Sequence, residues 1–169
     1  MSFRITWKVQ LKCTALAIIL TVIHYSMLDG ALYSFITSKY STIPTQNPSI
    51  DFFLYIFLIM LLITIFHELM HGIAYKFFGC SVSFGFNGLF AYTKETSGKA
   101  LERNKFLVVL LFPIFIISLL SLFFDGWIRA FIYLLNLLGS SGDIYMALYL
   151  IKTKPENKIV DKPYGFDVI

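Results

Sequence analysis

The chain has 169 residues, of which 57% are hydrophobic and only 14% are charged, and its formal net charge is +4. A soluble domain carries about 25% charged residues, so this composition indicates an integral membrane protein and argues against a soluble domain. The basic residues stand beside apolar segments, which is typical of membrane topology and not of a nucleic-acid-binding surface. The two cysteines, Cys13 and Cys80, provide neither a disulfide framework nor a CxxC metal pair.

Four apolar segments follow one another along the chain, and each approaches or exceeds the ~20 residues that a membrane-spanning helix needs. They cover residues of about 13–36, 50–78, 107–124 and 127–151. No small-residue cleavage site follows the first segment, so we expect an uncleaved helix there. Pro113 is expected to kink the third helix. The sequence therefore predicts an all-α integral membrane protein with about four transmembrane helices, which form a single membrane domain over residues 1–169.

The distribution of basic residues predicts the orientation of these helices. Twelve of the fourteen fall on one side if four helices are threaded, namely Arg4, Lys8, Lys12, Lys76, Lys94, Lys99, Arg103, Lys105, Lys152, Lys154, Lys158 and Lys162. The positive-inside rule makes that side the cytoplasm. We therefore expect a multi-pass cell-membrane protein with both termini in the cytoplasm. The loop 38–48, with Lys39, and the turn 125–126, near Arg129, are expected to face outward.

Residues 67–71 read HELMH and lie within the apolar run Phe52–Ala74. On a helix, His67 and His71 lie one turn apart on the same face, so their imidazoles can hold one metal ion. Glu68 lies beside them and can accept a proton from a water on that metal. Polar side chains are costly among lipid tails and usually have a function there. The motif therefore predicts a zinc site with two histidine ligands and a glutamate base.

A zinc site needs a third protein ligand and leaves a fourth position for water. The candidates differ in their depth in the membrane, which is the distance along the helix from the last lysine at the predicted cytoplasmic boundary. His67 is nine residues from Lys76. Asp143 is likewise nine residues from Lys152, and at 1.5 Å per residue both lie about 13 Å from that boundary. Asp143 is therefore the first candidate for the third ligand.

Two other polar residues compete less well by the same measure. His24 lies about 18 Å from the same boundary. It is the second candidate for the third zinc ligand, although it could instead pair with a neighbouring helix. Asp29, in the sequence Leu28-Asp29-Gly30, lies about 25 Å in and close to the outer face. Asp143 also has an alternative role, because it could pair with Arg129 or with a lysine.

The segment after the second helix predicts a β-hairpin. Asn87-Gly88 stands at its centre, and both residues tolerate the positive φ of a type I′ turn. We expect strands at about 81–86 and 89–94, within a hairpin of about 81–94. Two interpretations remain open: an ordinary cytoplasmic hairpin, or a membrane-dipping sheet beside the metal whose edge pairs with an extended peptide. In the second interpretation, Phe86 and Asn87 would contact a substrate.

The residues before Asp143 read GSSG at positions 139–142. Small residues allow close packing of helices, and glycines can loosen a helix. Asn136 lies two turns before Asp143 on the same predicted helix. Asn136 and Ser141 are therefore further candidates for substrate contact.

These features together resemble the site-2 protease class of intramembrane zinc metalloproteases. HELMHG in one membrane helix, a following hairpin and Gly142-Asp143 in a later Gly-rich helix carry the resemblance. The chain is also similar to small bacterial membrane proteins classed as zincin peptidases, which share the four-helix layout and a motif like HELMHGIAYKFFG. The resemblance spans roughly Tyr55 to Gly165. Where the site-2 class has Asn-x-x-Pro, this chain reads NLLG, with Gly139 in place of proline.

The resemblance implies a bacterial membrane protein that hydrolyses peptide bonds of membrane or membrane-proximal substrates. It implies zinc held by His67, His71 and Asp143, with Glu68 as general base. The alternative is a non-proteolytic zinc-binding membrane regulator, immunity or scaffold protein, although such a protein would not need Glu68. A metal transporter is a weaker interpretation, because the outer halves of the helices are poor in ligands. The expected partners are the lipid bilayer and a peptide or membrane-protein substrate, and the sequence leaves the oligomeric state open.

The charge distribution makes a prediction about topology. Reporter fusions at Met1 and at Ile169 should both report the cytoplasm, because the basic residues flank both ends of the helical region. A reporter inserted at the turn 125–126 should report the opposite side and serves as the control. An extracytoplasmic C-terminal reporter would contradict the four-helix arrangement and the depth comparison built on it.

Overall fold

The computed structural model describes residues 2–37, 45, 47–88 and 90–169, and these residues form six helices and six strands. The helices are α1 (Trp7–Ile23), α2 (Tyr25–Thr37), α3 (Pro48–Phe77), α4 (Arg103–Ser121), α5 (Gly126–Gly139) and α6 (Ser141–Ile151). The strands are β1 (Ser2–Arg4), β2 (Val82–Asn87), β3 (Phe90–Glu95), β4 (Leu101–Glu102), β5 (Lys158–Lys162) and β6 (Gly165–Val168). Most of the predicted outer loop 38–48, including Lys39, lies outside the described residues.

By length and composition, two of the described helices can cross a membrane on their own: α3, over Ser49–Phe77, and α4. The pairs α1–α2 and α5–α6 each pass the same criteria together but are bent, by 69° and 51°. The number of candidate spans in the described part is therefore two, or up to four if each bent pair is one span. Each of the helices predicted at about 13–36 and 127–151 is therefore divided into two helices in the structure, with the breaks at His24 and Ser140.

Side chains that bond to helix carbonyls mark both breaks. At the first, the imidazole Nδ1 of His24 lies 2.9 Å from the Leu20 carbonyl oxygen, to which the His24 amide also donates. At the second, the Ser140 hydroxyl donates to the Asn136 carbonyl at 2.7 Å, and glycines lie on both sides. Insertion of a side chain into the helix ladder and Gly/Ser pairs are both recognised causes of sharp bends.

Helix α3, which carries HELMH, has defined ends. Asn47 is its N-cap: the side chain accepts hydrogen bonds from the amides of Ser49 and Ile50, and Pro48 occupies the first turn. Gly79 follows the C-terminus with φ +73°, and its amide donates to the Lys76 carbonyl. This left-handed conformation is the one that favours glycine after a helix. The motif therefore lies in the last third of a long helix with firm boundaries.

A four-stranded antiparallel sheet in the order β1-β6-β5-β4 joins three distant parts of the chain. It contains the N-terminal strand, the residues just before α4 and the C-terminal segment. Phe3 and Phe166 are register partners, and their rings stack at 4.8 Å. The sequence analysis predicted no strands in these segments, so the all-α assignment is corrected to a mostly helical fold with a small sheet.

The four-stranded sheet packs against the helices through a shared apolar core. Phe166, Ile159 and Leu150 are fully buried in a shared core with Val109 of α4. The Tyr75 side chain, near the end of α3, lies close to Asp161 on β5 and interacts with its carboxyl group. Burial raises the pKa of Asp161 above its ordinary value, although the interaction with Tyr75 acts in the opposite direction. The sheet therefore fixes the position of the end of α3.

Strands β2 and β3 pair antiparallel and pack on α3. Phe84 lies over Gly72, where any Cβ would collide with the ring. The Thr93 hydroxyl donates to the Glu68 carbonyl at 2.6 Å, and the Lys99 ammonium donates to the Phe78 carbonyl at 2.8 Å. These contacts hold the two strands against the part of α3 that carries the metal motif. Residue 89 and the side chain of Asn87 are outside the described part.

Candidate metal centre

Three side chains from distant parts of the chain converge in the described structure: His67, His71 and Asp143. The Nε2 atoms of the two histidines are 3.1 Å apart. Oδ2 of Asp143 lies 3.0 Å from Nε2 of His67 and 3.6 Å from Nε2 of His71. In a tetrahedral zinc site with bonds of about 2.1 Å, neighbouring ligand atoms stand about 3.4 Å apart. The three atoms therefore have the spacing of three corners of a zinc tetrahedron.

The outer nitrogens of both imidazoles have partners in neighbouring helices. Nδ1 of His71 lies 2.9 Å from the Val109 carbonyl oxygen of α4, which can only accept, so this nitrogen carries the proton. Nδ1 of His67 lies 3.4 Å from Oδ1 of Asn136 and 3.5 Å from the Ser140 hydroxyl oxygen. Both Nε2 atoms then present lone pairs to Asp143. Three electron-pair donors so close together fit a metal cation, and the outer partners fix the ring orientations.

The carbonyl that receives His71 is free because of a proline. In a regular helix the Val109 carbonyl would accept from the amide of residue 113. Residue 113 is proline, which lies inside α4 and has no amide proton. The kink that the sequence predicts at Pro113 stays a prediction. In the structure Pro113 lies inside the continuous helix α4 and leaves an acceptor four residues earlier, which His71 occupies.

The polar residues that competed for the third-ligand position lie elsewhere. Nε2 of His24 lies 3.3 Å from the Tyr133 hydroxyl oxygen of α5, which is the pairing with a neighbouring helix that the sequence left open. Asp29 is exposed on α2. Glu68, the expected base, lines a cleft of about 520 Å³ together with all three candidate ligands. The structure thus brings Asp143 to the two histidines, and the assignment of the three as metal ligands remains a prediction.

The structure places the candidate substrate contacts at different points around the site. Asn136 is fully buried, faces His67 and also lines the metal cleft, so its position fits orientation of that ring, and its contact with a substrate stays a prediction. Ser141 lines the neighbouring cavity beside α1 and not the metal cleft itself. Phe86 is largely exposed and shares a face of the hairpin with its register partner Ala91, which does line the cleft. Phe86 remains a candidate by position.

Sequence reasoning missed Ser140 and the Val109 carbonyl. Ser140 is fully buried and lies one turn after Asn136, so the four-residue spacing between them could have placed both beside one ligand. A proline inside a predicted helix also points to a free carbonyl four residues earlier, which is the signal for Val109. The expectation that GSSG packs tightly was wrong for its glycines, because a Cβ at Gly139 or Gly142 would meet no other atom within 4 Å.

Comparison with known proteins identifies the family. The family described as "Putative zincin peptidase" matches residues 58–157, more than half of the chain. This range contains both histidines, Glu68 and Asp143. The chain belongs to this family, whose description implies a zinc metallopeptidase. Neither the curated proteins nor the solved structures gave a match.

The cluster predicts one zinc ion per chain in purified protein, measured by elemental analysis. Asp143→Ala and His67→Ala should each remove most of the zinc, because each deletes one of only three protein ligands. Asp29→Ala deletes an exposed carboxylate on α2, and this variant should retain its zinc. Full zinc occupancy in a His67→Ala, His71→Ala double variant would rule out this site.

The arrangement at Pro113 predicts opposite effects on stability and on metal affinity. In Pro113→Ala, the new amide at 113 would donate to the Val109 carbonyl and compete with His71. Loss of an outer hydrogen bond to a metal-binding histidine costs about 10–100-fold in affinity, so partial competition should weaken zinc binding by about threefold to tenfold. The thermal stability of the metal-free protein should rise, because proline inside a helix is unfavourable.

The measurements are a chelator-competition titration for zinc and a thermal melt of the metal-free protein in detergent. Pro155→Ala, in the turn after α6, is the matched control and should leave zinc affinity unchanged. Unaltered zinc affinity in Pro113→Ala would show that the freed carbonyl is not needed to orient His71.

Proposed function

We propose that this protein is a membrane-embedded zinc metallopeptidase, similar to the site-2 protease class, that hydrolyses peptide bonds of membrane or membrane-proximal substrates. One observation carries the proposal: His67, His71 and Asp143 converge in a cleft that Glu68 also lines. The two histidines and Glu68 lie on α3, a helix long and apolar enough to cross a membrane. A purely structural metal site needs no such carboxylate beside it.

The four-stranded sheet supports a membrane topology with both ends on one side. It combines residues from the N-terminal segment, the segment before α4 and the C-terminal segment, and a sheet cannot form across a bilayer. Twelve of the fourteen basic residues lie within residues 4–12, 76–105 and 152–162, the ranges that contain or adjoin these strands. With both ends on one side, the number of crossings must be even. The basic residues make this side the cytoplasm.

The residues of the cleft have complementary roles in hydrolysis. His67, His71 and Asp143 would hold zinc, which supplies polarisation of the scissile carbonyl and acidification of a water. Glu68 accepts a proton from the attacking water while the oxygen of that water bonds to the carbonyl carbon. Glu68 then delivers that proton to the amine as the carbon–nitrogen bond breaks. Asn136, Ser140 and the Val109 carbonyl keep the imidazoles in orientation throughout.

The substrate must be extended where it is cut, because the carbonyls of an intact helix are occupied by its own hydrogen bonds. Strand β3 is suited to hold such a segment. Its Ala91 lines the cleft, and Thr93 ties the strand to the Glu68 carbonyl. Within the two-stranded sheet, β3 pairs with β2 alone, so its other edge is available to a peptide backbone.

Glu68→Gln tests the reaction directly. Glutamine has a similar shape but cannot accept the proton, so this variant should keep its zinc and cleave single-span membrane proteins about 10²–10⁴-fold more slowly. The measurement is cleavage of co-expressed and of purified substrates, with elemental analysis of zinc in parallel. Glu156→Gln, exposed in the turn after α6, is the matched control. Equal turnover in wild type and Glu68→Gln would place the base elsewhere or favour a non-proteolytic zinc-binding regulator, immunity or scaffold protein.

A further inference from the structure

Three cavities follow one another along the α5–α6 pair. The metal cleft is the middle one, and it shares the lining residues Leu135 and Leu138 with a cavity of about 180 Å³ towards the start of α3. On the opposite flank it shares Gly139 and Gly142 with a cavity of about 620 Å³ beside α1. The metal cleft therefore shares wall residues with each of the other two cavities and lies between them along α5–α6.

The two flanking cavities differ in chemical character. The smaller one is lined by apolar side chains, including Phe52, Ile56 and Phe131. Its single polar side chain, Thr21, donates its hydroxyl to the Ala17 carbonyl at 2.9 Å. The cavity beside α1 begins at Phe3 and Ile5, next to the four-stranded sheet. It contains polar side chains, among them Gln10, Thr14 and Ser141.

One face of α1 lines both flanking cavities. Gln10, Cys13, Thr14 and Ala17 line the cavity nearest the sheet, and Thr21 lines the apolar one. Their spacing of three to four residues places them on one side of a helix. From Gln10 to Thr21 this face is about 16 Å long at 1.5 Å per residue. An extended peptide of about five residues, at about 3.3 Å each, has the same length.

We propose that the three cavities form one substrate track, which holds an extended peptide of about five residues across the metal centre. The Phe52 cavity takes an apolar side chain, and the Gln10 cavity takes small polar side chains on the other side of the scissile bond. This specificity rests on the proposed function, because it needs a peptide to be cut between the two. A lipid acyl chain would match the Phe52 cavity, but it has no groups for the Gln10 amide and the Thr14 hydroxyl.

The glycines before Asp143 keep this track open. A Cβ at Gly139 or Gly142 would meet no other atom within 4 Å, so neither residue is glycine for lack of room. A larger side chain at Gly142 would instead project into the space that joins the metal cleft to the α1 cavity. Gly30 of α2 is the matched control, because it is also helical, also has an unobstructed Cβ position and lines none of the three cavities.

Photo-crosslinking in the full-length, zinc-loaded Glu68→Gln protein tests the track without requiring cleavage. The probes are two labelled single-span peptides in lipid nanodiscs, with the central sequences Leu-Leu-Gly-Ser-Thr and Thr-Ser-Gly-Leu-Leu. A photoreactive phenylalanine analogue is placed in turn at Gln10, at Ile56 and at two exposed control positions, Leu11 and Phe57. We expect at least one probe to crosslink at both Gln10 and Ile56, at least tenfold above the controls. Replacing Ser-Thr by Leu-Leu in that probe should lower the Gln10 signal several-fold.

Gly142→Val should lower the Gln10 crosslink about tenfold while retaining the Ile56 crosslink, and Gly30→Val should change neither. If Gly142→Val loses zinc, Gly142→Ala is used in its place. Crosslinks at Leu11 and Phe57 as strong as those at the track positions would overturn the proposal, as would the absence of a Gln10 crosslink. Cleavage of the same probes by the wild type is scored separately. Cleavage without these crosslinks would reject the substrate track but not the peptidase function. These crosslinks without cleavage would reject the peptidase function but not the binding of a peptide along the track.

Discussion

The hydrogen bond from His71 to the Val109 carbonyl requires a carbonyl that its own helix does not use. Pro113 provides it, because it has no amide proton to donate. Inside an apolar helix bundle every polar atom needs a hydrogen-bond partner. When an imidazole binds a metal through one nitrogen, the N–H group of its other nitrogen therefore needs an acceptor. The same requirement accounts for the burial of Asn136 and Ser140 against His67. The candidate metal centre therefore depends on four helices: α3 supplies the histidines, α4 and α5 orient them, and α6, which follows the bend at Ser140, supplies Asp143.

The parts of the site that could be predicted from sequence obey fixed helical geometry. HELMH places two imidazoles one turn apart wherever it lies in a helix, and equal offsets from two boundary lysines pointed to Asp143. The helix breaks at His24 and Ser140 could not be placed this way, since hydropathy is the same on both sides of each break. The four-stranded sheet could not be foreseen either: its strands have two to five residues, and β1 and β4 pair with strands that lie far away in the sequence. The resemblance to a zincin family was confirmed by the family match.

The bend at Ser140 has consequences for access as well as for ligation. Gly139 and Gly142 remove side chains from the stretch of α5–α6 that lies between the metal cleft and the cavity beside α1. A peptide in that space would approach the candidate metal centre from the side of α1, a helix with no buried residue.

The pairing of β1 with β6 also affects the order in which the protein is completed. Phe3 and its partner Phe166 are separated by nearly the whole described chain, so Phe166 is synthesised much later than Phe3. Contacts between such distant residues form late, because closing a long loop costs entropy before any contact is gained. Until β5 and β6 are synthesised, the end of α3 lacks its contact with Asp161. A nascent chain would therefore form its apolar helices before the candidate metal centre is fixed in place.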